Sequence, residues 1–216
     1  MPRPRSLTPD DLATAALTVI DRDGLSALTM RAVARELRMA TMALYRYVSD
    51  RDELEILVVN RILAPVDVSL PPDTDWCERA ALLLDRLRTV ASAHPAAIPL
   101  TLRHRQSAPA VMRWIETMLT VLTDAGFTGP DRVIAQRTIV GFLLGHLQNE
   151  HYASLGGPGT THLTHAPAEE FPLLAETATQ ASTMSPTDEF RGGTAILLEG
   201  LTAHLERLQP GEATLE

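Results

Sequence analysis

The chain has 216 residues, 45% of them hydrophobic, which is enough for a substantial core and somewhat more than one ordinary domain. A formal net charge of −8 argues at first against a nucleic-acid partner, but residues 1–64 hold nine Arg against nine Asp/Glu, so the remainder, with ten Arg against eighteen acids, carries all of the excess. No run approaches the roughly 18 apolar residues of a membrane span, no apolar leader follows Met1, and Cys77 as sole cysteine excludes an intrachain disulfide or a cysteine zinc cluster, all of which fits a cytoplasmic protein.

In chain order, Pro2-Arg3-Pro4-Arg5 is a short basic arm. Arg3 and Arg5 either lie along DNA phosphates or in a minor groove, or belong to an ordinary frayed terminus. Thr8-Pro9-Asp10-Asp11 marks a helix start, with Thr as cap, Pro at the first helical position and acids in the first turn. Leu12, Ala16, Val19 and Ile20 form its apolar face, and Gly24 ends it. Residues 28–54, LTMRAVARELRMATMALYRYVSDRDEL, then read as two short helices and the start of a third. Thr29 caps the first helix. Val33 and Leu37 recur at helical spacing, and Ala34 is small enough for a close crossing. Arg38-Met39-Ala40 is the turn, and a second helix covers about residues 41–47 with Leu44 and Val48 inward. Thr41, Met42, Ala43, Tyr45, Arg46 and Tyr47 are left largely outside. Asp50 and Glu53 make a capping-box-like pair for the next helix. That helix carries Leu54, Leu57, Val58 and Ile62 on one side and stops before Pro65.

Residues 66–75, with Pro71-Pro72, read as a linker. Helical periodicity follows over residues 76–93, over 97–105 with an interruption at Pro99, and over 108–125 and 131–152. Residues 155–168 (LGGPGTTHLTHAPA) read as a loop, and two more helices cover 171–181 and 186–208. No alternating strand pattern occurs, so the fold class is all-α. The predicted domains are a helix-turn-helix unit over residues 1–50, a connecting helix over 51–64 and a larger helical domain over 65–216.

Two helices of about two turns joined by a tight turn form the unit that places its second helix in a DNA major groove. Leu44-Tyr45-Arg46-Tyr47-Val48, then Arg51 and Leu54, resemble the recognition-helix signature of TetR-type transcriptional regulators. So do the preceding Leu28-Thr29-Met30-Arg31 and the Ala34…Leu37 spacing. The resemblance is specific over residues 8–63. More weakly, Gly126-Phe127, the helix with Gly141 and Gly145, the Gly/His-rich segment, Phe171-Pro172-Leu173-Leu174 and the last helix are similar to tetracycline-repressor-type C-terminal domains. The resemblance implies a regulator, read as a repressor, that binds operator DNA as a homodimer and responds to a small molecule. It implies DNA contacts from Thr29, Arg31, Tyr45, Arg46, Tyr47 and Arg51, chiefly to the backbone. Thr41, Met42 and Ala43 would face base edges. For Tyr47, packing against the helix from Arg51 competes with that role. One departure is Arg38, where the family usually has Gly. A left-handed backbone there costs a non-glycine residue roughly 1 kcal/mol.

In the larger domain the effector candidates are Leu87, Leu102, Arg103, His104, Met112, Trp114, Met118, Phe142 and His146. Taken singly, each also reads as core or plain surface. Dimer candidates are two stripes, Ile134, Thr138, Gly141 and Gly145 on one helix and Gly193, Ile196, Gly200 and His204 on the other. In TetR-type proteins the matching helices form a four-helix bundle across the two-fold axis. Close packing inside one subunit is the competing reading of the glycines. No cofactor is expected. No metal is expected either: the seven His show no helical HExxH spacing, and His162 and His165 read as loop residues. No nucleophile elbow or phosphate-cradling loop is present. The alternative is an all-helical small-molecule-binding protein or enzyme whose hairpin does not bind DNA.

Overall fold

The computed structural model describes residues 7–208; Arg3 and Arg5 therefore lie outside the described residues. Among the described residues every regular element is helical: α1 (Pro9–Asp23), α2 (Met30–Glu36), α3 (Thr41–Leu44), α4 (Arg51–Leu63), α5 (Trp76–Ser92), α6 (Ile98–Arg103), α7 (Pro109–Asp124), α8 (Gly129–Tyr152), α9 (Pro158–Leu163), α10 (Pro172–Ala181) and α11 (Pro186–Leu208). The chain forms two compact units, residues 1–69 with 86–117, and residues 70–85 with 118–216. Residues 86–117 thus cluster with the N-terminal helices.

In the first unit α1 packs on α2 and α4, and α4 on α6. Thr8 caps α1 reciprocally: its Oγ1 accepts the Asp11 N–H at 3.2 Å, and the Asp11 carboxylate accepts the Thr8 N–H at 2.9 Å. Leu12, Ala16, Val19 and Ile20 are buried, as are Leu28, Val33, Leu44, Leu54 and Val58 on the elements that follow. Each fully buried Leu, Ile or Val contributes about 1.5–3 kcal/mol, so the three-helix head is held by the predicted apolar positions. Gly24, at φ 84°, ends α1 in a conformation that disfavours side chains. Thr29 Oγ1 accepts the Ala32 N–H at 3.0 Å and starts α2.

In the second unit α8 packs on α11 and α9 on α10. Phe127 is buried edge-on to Trp76, with ring centroids 5.6 Å apart. Arg79 binds Asp124 at 3.0 Å, tying α5 to α7.

Four sequence expectations are corrected. The helix expected over 41–47 is α-helical only over Thr41–Leu44, after which the Tyr47 N–H bonds the Leu44 carbonyl in a tighter turn. The segment 155–168 is not wholly a loop. Pro158, pre-set for a first helical position, starts the short helix α9 after Gly157. Pro99 does not interrupt a helix, because it sits in the first turn of α6, where its missing N–H is not needed; a 3₁₀ turn, Pro95–Ala97, precedes it. The capping pair before α4 is shifted: Asp50 accepts the Glu53 N–H at 2.9 Å, but Glu53 accepts the Ser49 N–H instead of that of Asp50. Arg38 adopts φ 54°, so the left-handed turn is kept without glycine.

Candidate nucleic-acid interface

The hairpin of α2 and α3 is held from below by Leu44 and Val48, both buried. That anchoring turns Met42 and Tyr45 outward, 76% and 45% exposed. Arg46 is exposed, while Thr41, Ala43 and Tyr47 are half-buried. Thr29 is exposed and spends its oxygen on the α2 cap, leaving its O–H free to donate outward. Arg31 is exposed at the start of α2. It borders a depression of about 470 Å³ lined also by Arg35, Arg38 and Thr41. Arg35 and Arg38 were not among the predicted contacts. Arg31 and Arg35 stand one turn apart on α2, a spacing legible in the sequence, whereas Arg38 joins them from the left-handed turn that follows the helix. Arg31 and Arg38 have no ion-pair partner among the described residues. The result is a small basic and apolar surface. It offers guanidinium groups to phosphate and a thioether and methyl to base edges.

Arg51 is placed differently from that group. Its Nε donates to Glu55 Oε1 at 2.7 Å, so the side chain is partly committed. The α4 N-terminus is also occupied by its own acids, since Asp50 takes the Glu53 N–H. Glu55 is the centre of a buried charge cluster. Its carboxylate receives His104 Nε2 at 2.8 Å and Arg103 at 3.1 Å as well as Arg51. Burial by itself pushes this carboxyl up; the bonds from His104, Arg51 and Arg103 together outweigh it and hold the group below its ordinary value. Asp52, Glu55 and His104 bring ligand atoms within 4.8 Å of one another. The Glu55 carboxylate of this trio already receives two guanidinium groups besides His104.

The effector candidates are divided between the two units. Leu87, Leu102, Arg103, His104, Met112 and Trp114 belong to the first unit, and Met118, Phe142 and His146 to the second. Leu87, Trp114 and Met118 are buried core residues, Leu102 is half-buried and Met112 is exposed. Arg103 is exposed, while His104 is buried on Glu55. In the second unit Phe142 and His146 surround Phe190, at centroid distances of 5.5 and 4.7 Å. Five of the eight dimer candidates are exposed, and Gly145, Gly193 and His204 are half-buried. Ile134 and Ile196 are 56% and 73% exposed, and Thr138, Gly141 and Gly200 are exposed. A Cβ added at Gly141, Gly145 or Gly200 meets nothing within 4 Å, whereas at Gly193 it would lie 2.8 Å from the Phe142 ring. Close packing within the chain therefore explains Gly193 alone. His204 bonds Asp131 at 3.2 Å.

Known proteins share this arrangement. Residues 12–55 match the family described as bacterial regulatory proteins, tetR family, and residues 69–205 match the tetracyclin repressor-like C-terminal domain. The HTH-type transcriptional repressor DrrR1 of Streptomyces coeruleorubidus is 34% identical over 154 residues, covering 70% of this chain and 56% of that protein. The chain thus spans little more than half the length of that relative. The tetracycline repressor protein class E of Escherichia coli is 28% identical over 211 residues, 93% of each chain. The structure of the Streptomyces coelicolor TetR family protein ActR in complex with (S)-DNPA superposes with a TM-score of 0.79 at 27% identity, covering 92% of this chain and 98% of that one. With a helix-turn-helix head matched over 12–55 and a ligand-binding-type C-terminal domain matched over more than half of its length, the chain belongs to the TetR family of transcriptional regulators.

Proposed function

We propose that the chain represses transcription by binding a roughly palindromic operator as a homodimer, and that a small, mostly apolar effector held by the C-terminal domain releases it. The observation that carries the reading is the uncovered face of the hairpin, where Met42 and Tyr45 stand exposed beside Arg31 and Arg38. Exposed apolar side chains next to unpaired guanidinium groups suit a DNA groove, with thymine methyls and phosphates in reach. The uncovered stripe Ile134, Thr138 and Gly141 on α8, with Ile196 and Gly200 on α11, supports a second copy as its cover. A two-fold dimer spaces half-sites by whole turns of about 34–36 Å.

The complex of the relative ActR with (S)-DNPA supports effector control. In the second unit Phe142 and His146, packed around Phe190, supply effector contacts. Arg103 and His104 act indirectly: both bind Glu55 of α4, so a displacement of α6 is felt by the helix that follows the DNA-reading hairpin. Release requires that the effector prefer a conformation unable to fit the operator, and operator then weakens effector binding by the same factor. The chain would act where the chromosome is, as a binding protein without enzymatic turnover.

Selection from a pool of random duplexes, followed by mobility shift at low salt, tests the reading. A roughly palindromic winning sequence bound by one dimer is expected. Folded protein that binds no duplex overturns it in favour of a small-molecule-binding protein or enzyme.

A further inference from the structure

Residues 24–49 hold four arginines and one acid, in a chain whose net charge is −8. That acid, Glu36, is turned to α1, where Arg22 binds it at 3.0 Å and binds Asp23 at 2.9 Å. Arg35 is partly balanced by the same acids: the Asp23 carboxyl is held below its ordinary value chiefly by its hydrogen bond from Arg22 and in part by the charge of Arg35. Arg31 and Arg38 are exposed, and among the described residues their side chains make no hydrogen bond or ion pair.

Arg38 stands where α2 closes. Its N–H bonds the Arg35 carbonyl at 3.0 Å, and the Met39 N–H bonds the Ala34 carbonyl at 2.9 Å. This paired closure takes a left-handed residue just past the helix, and Arg38 supplies it at φ 54°. Glycine fills such a position without steric cost, whereas a side chain crowds its Cβ against the backbone. Among the described residues no contact of the guanidinium offsets that cost. A backbone outlier with no internal contact to hold it calls for a contact outside the chain.

The turn brings Arg38 to the edge of the depression of about 470 Å³ that Arg31, Arg35 and Thr41 also line. The rest of its lining is Ala34, Ala40 and Met39, with no acid. Two small side chains leave room for a phosphate oxygen to approach, and no carboxylate in the depression competes for the guanidinium forks.

We infer, resting on the operator reading, that Arg38 binds a phosphate of the operator backbone in each half-site beside Arg31, and that this contact is why the turn carries arginine. It is a contact outside the recognition helix, at a position where glycine would make none. A guanidinium on a phosphodiester raises affinity for every sequence alike and selects none.

The probe is the duplex that wins selection from the random pool, titrated with the full chain between about 50 and 200 mM salt. Each phosphate contact contributes about 0.9 to the slope of log affinity against log salt. A dimer of R38G loses two contacts, so its slope is shallower by about 1.8, and its deficit against wild type shrinks about twelvefold from the lower salt to the higher. R38N, which also tolerates the left-handed backbone, behaves like R38G, and R38K regains most of the slope. R38G and R38N melt at or above wild type and rank duplexes in the wild-type order. Ethylation of one phosphate per half-site weakens wild type and makes no difference to R38G. A wild-type slope in R38G overturns the inference and leaves the operator reading standing. So does a shallower slope with an unchanged ethylation pattern, which marks a diffuse effect of charge. Wild-type protein that binds no duplex overturns both.

Discussion

Replacing Glu55 by Gln tests how the first unit is held together. The carboxylate is fully buried in α4, and its partners come from α4 itself (Arg51) and from the segment at the end of α6 (Arg103 and His104). Breaking a buried ion pair by removing one partner costs about 3–5 kcal/mol. Here the side chains of Arg51 and Arg103 are 48% and 63% exposed, so water re-solvates them when the charge is lost. Their share falls to the range of surface pairs, about 0–1 kcal/mol each. His104, with its side chain only 9% exposed, loses an acceptor for a buried ring nitrogen. That adds about 1–3 kcal/mol. The sum for E55Q is about 1–5 kcal/mol, toward the lower end where the amide oxygen still accepts one bond.

The cost is pH-dependent with a definite sign. Because the folded carboxyl is held below its ordinary value near 4.5, its contribution is fully present above that value and is lost as pH falls through the lower folded value. The test is chemical denaturation of wild type and E55Q from pH 7 down to pH 3. The gap should be widest near neutrality and should close in acid. Equal stability at pH 7, or a gap that persists unchanged to pH 3, refutes the assignment of Glu55 as a charged keystone between α4 and α6.

Other outcomes follow from single residues. Arg38→Gly relieves a left-handed backbone at φ 54°. That relief is worth about 1–2 kcal/mol and is partly offset by glycine's entropy, about 0.5–1 kcal/mol, so thermal melting should show a gain of up to about 1.5 kcal/mol. Gly141→Leu and Gly200→Leu add bulk where the isolated chain has open space, so the fold survives and light scattering reports monomers. A dimer in both variants rejects the α8/α11 interface. Gly193→Ala instead drives a methyl to 2.8 Å from the Phe142 ring and lowers stability by about 1–3 kcal/mol, measured by denaturant titration. Tyr45→Phe should weaken binding alike across duplex sequences, whereas changing Met42 should shift which sequence is preferred; selection from random duplexes separates the two.

The sequence by itself determined the helical class, the head and its apolar anchors. Leu12, Val19, Leu44 and Val48 recur at helical spacing between explicit stop and start signals, Thr8-Pro9, Gly24, Thr29 and Asp50, and such signals act locally. It also determined which face of α3 is outward, because burying Leu44 leaves Met42 and Tyr45 no alternative. Only the tertiary structure decided the partners of charged groups. Nothing within a turn or two of Glu55 announces that Arg103 and His104, nearly fifty positions later, will hydrogen-bond it. The same holds between α5 and α11: Asp85 meets Arg191 at 3.8 Å and Cys77 meets Thr202 at 3.4 Å only because the two helices pack antiparallel. Local pattern sets an element and its buried face, because those depend on neighbours within a turn or two. Which acid meets which base depends on crossings between helices far apart in the chain, and only the packed structure fixes those.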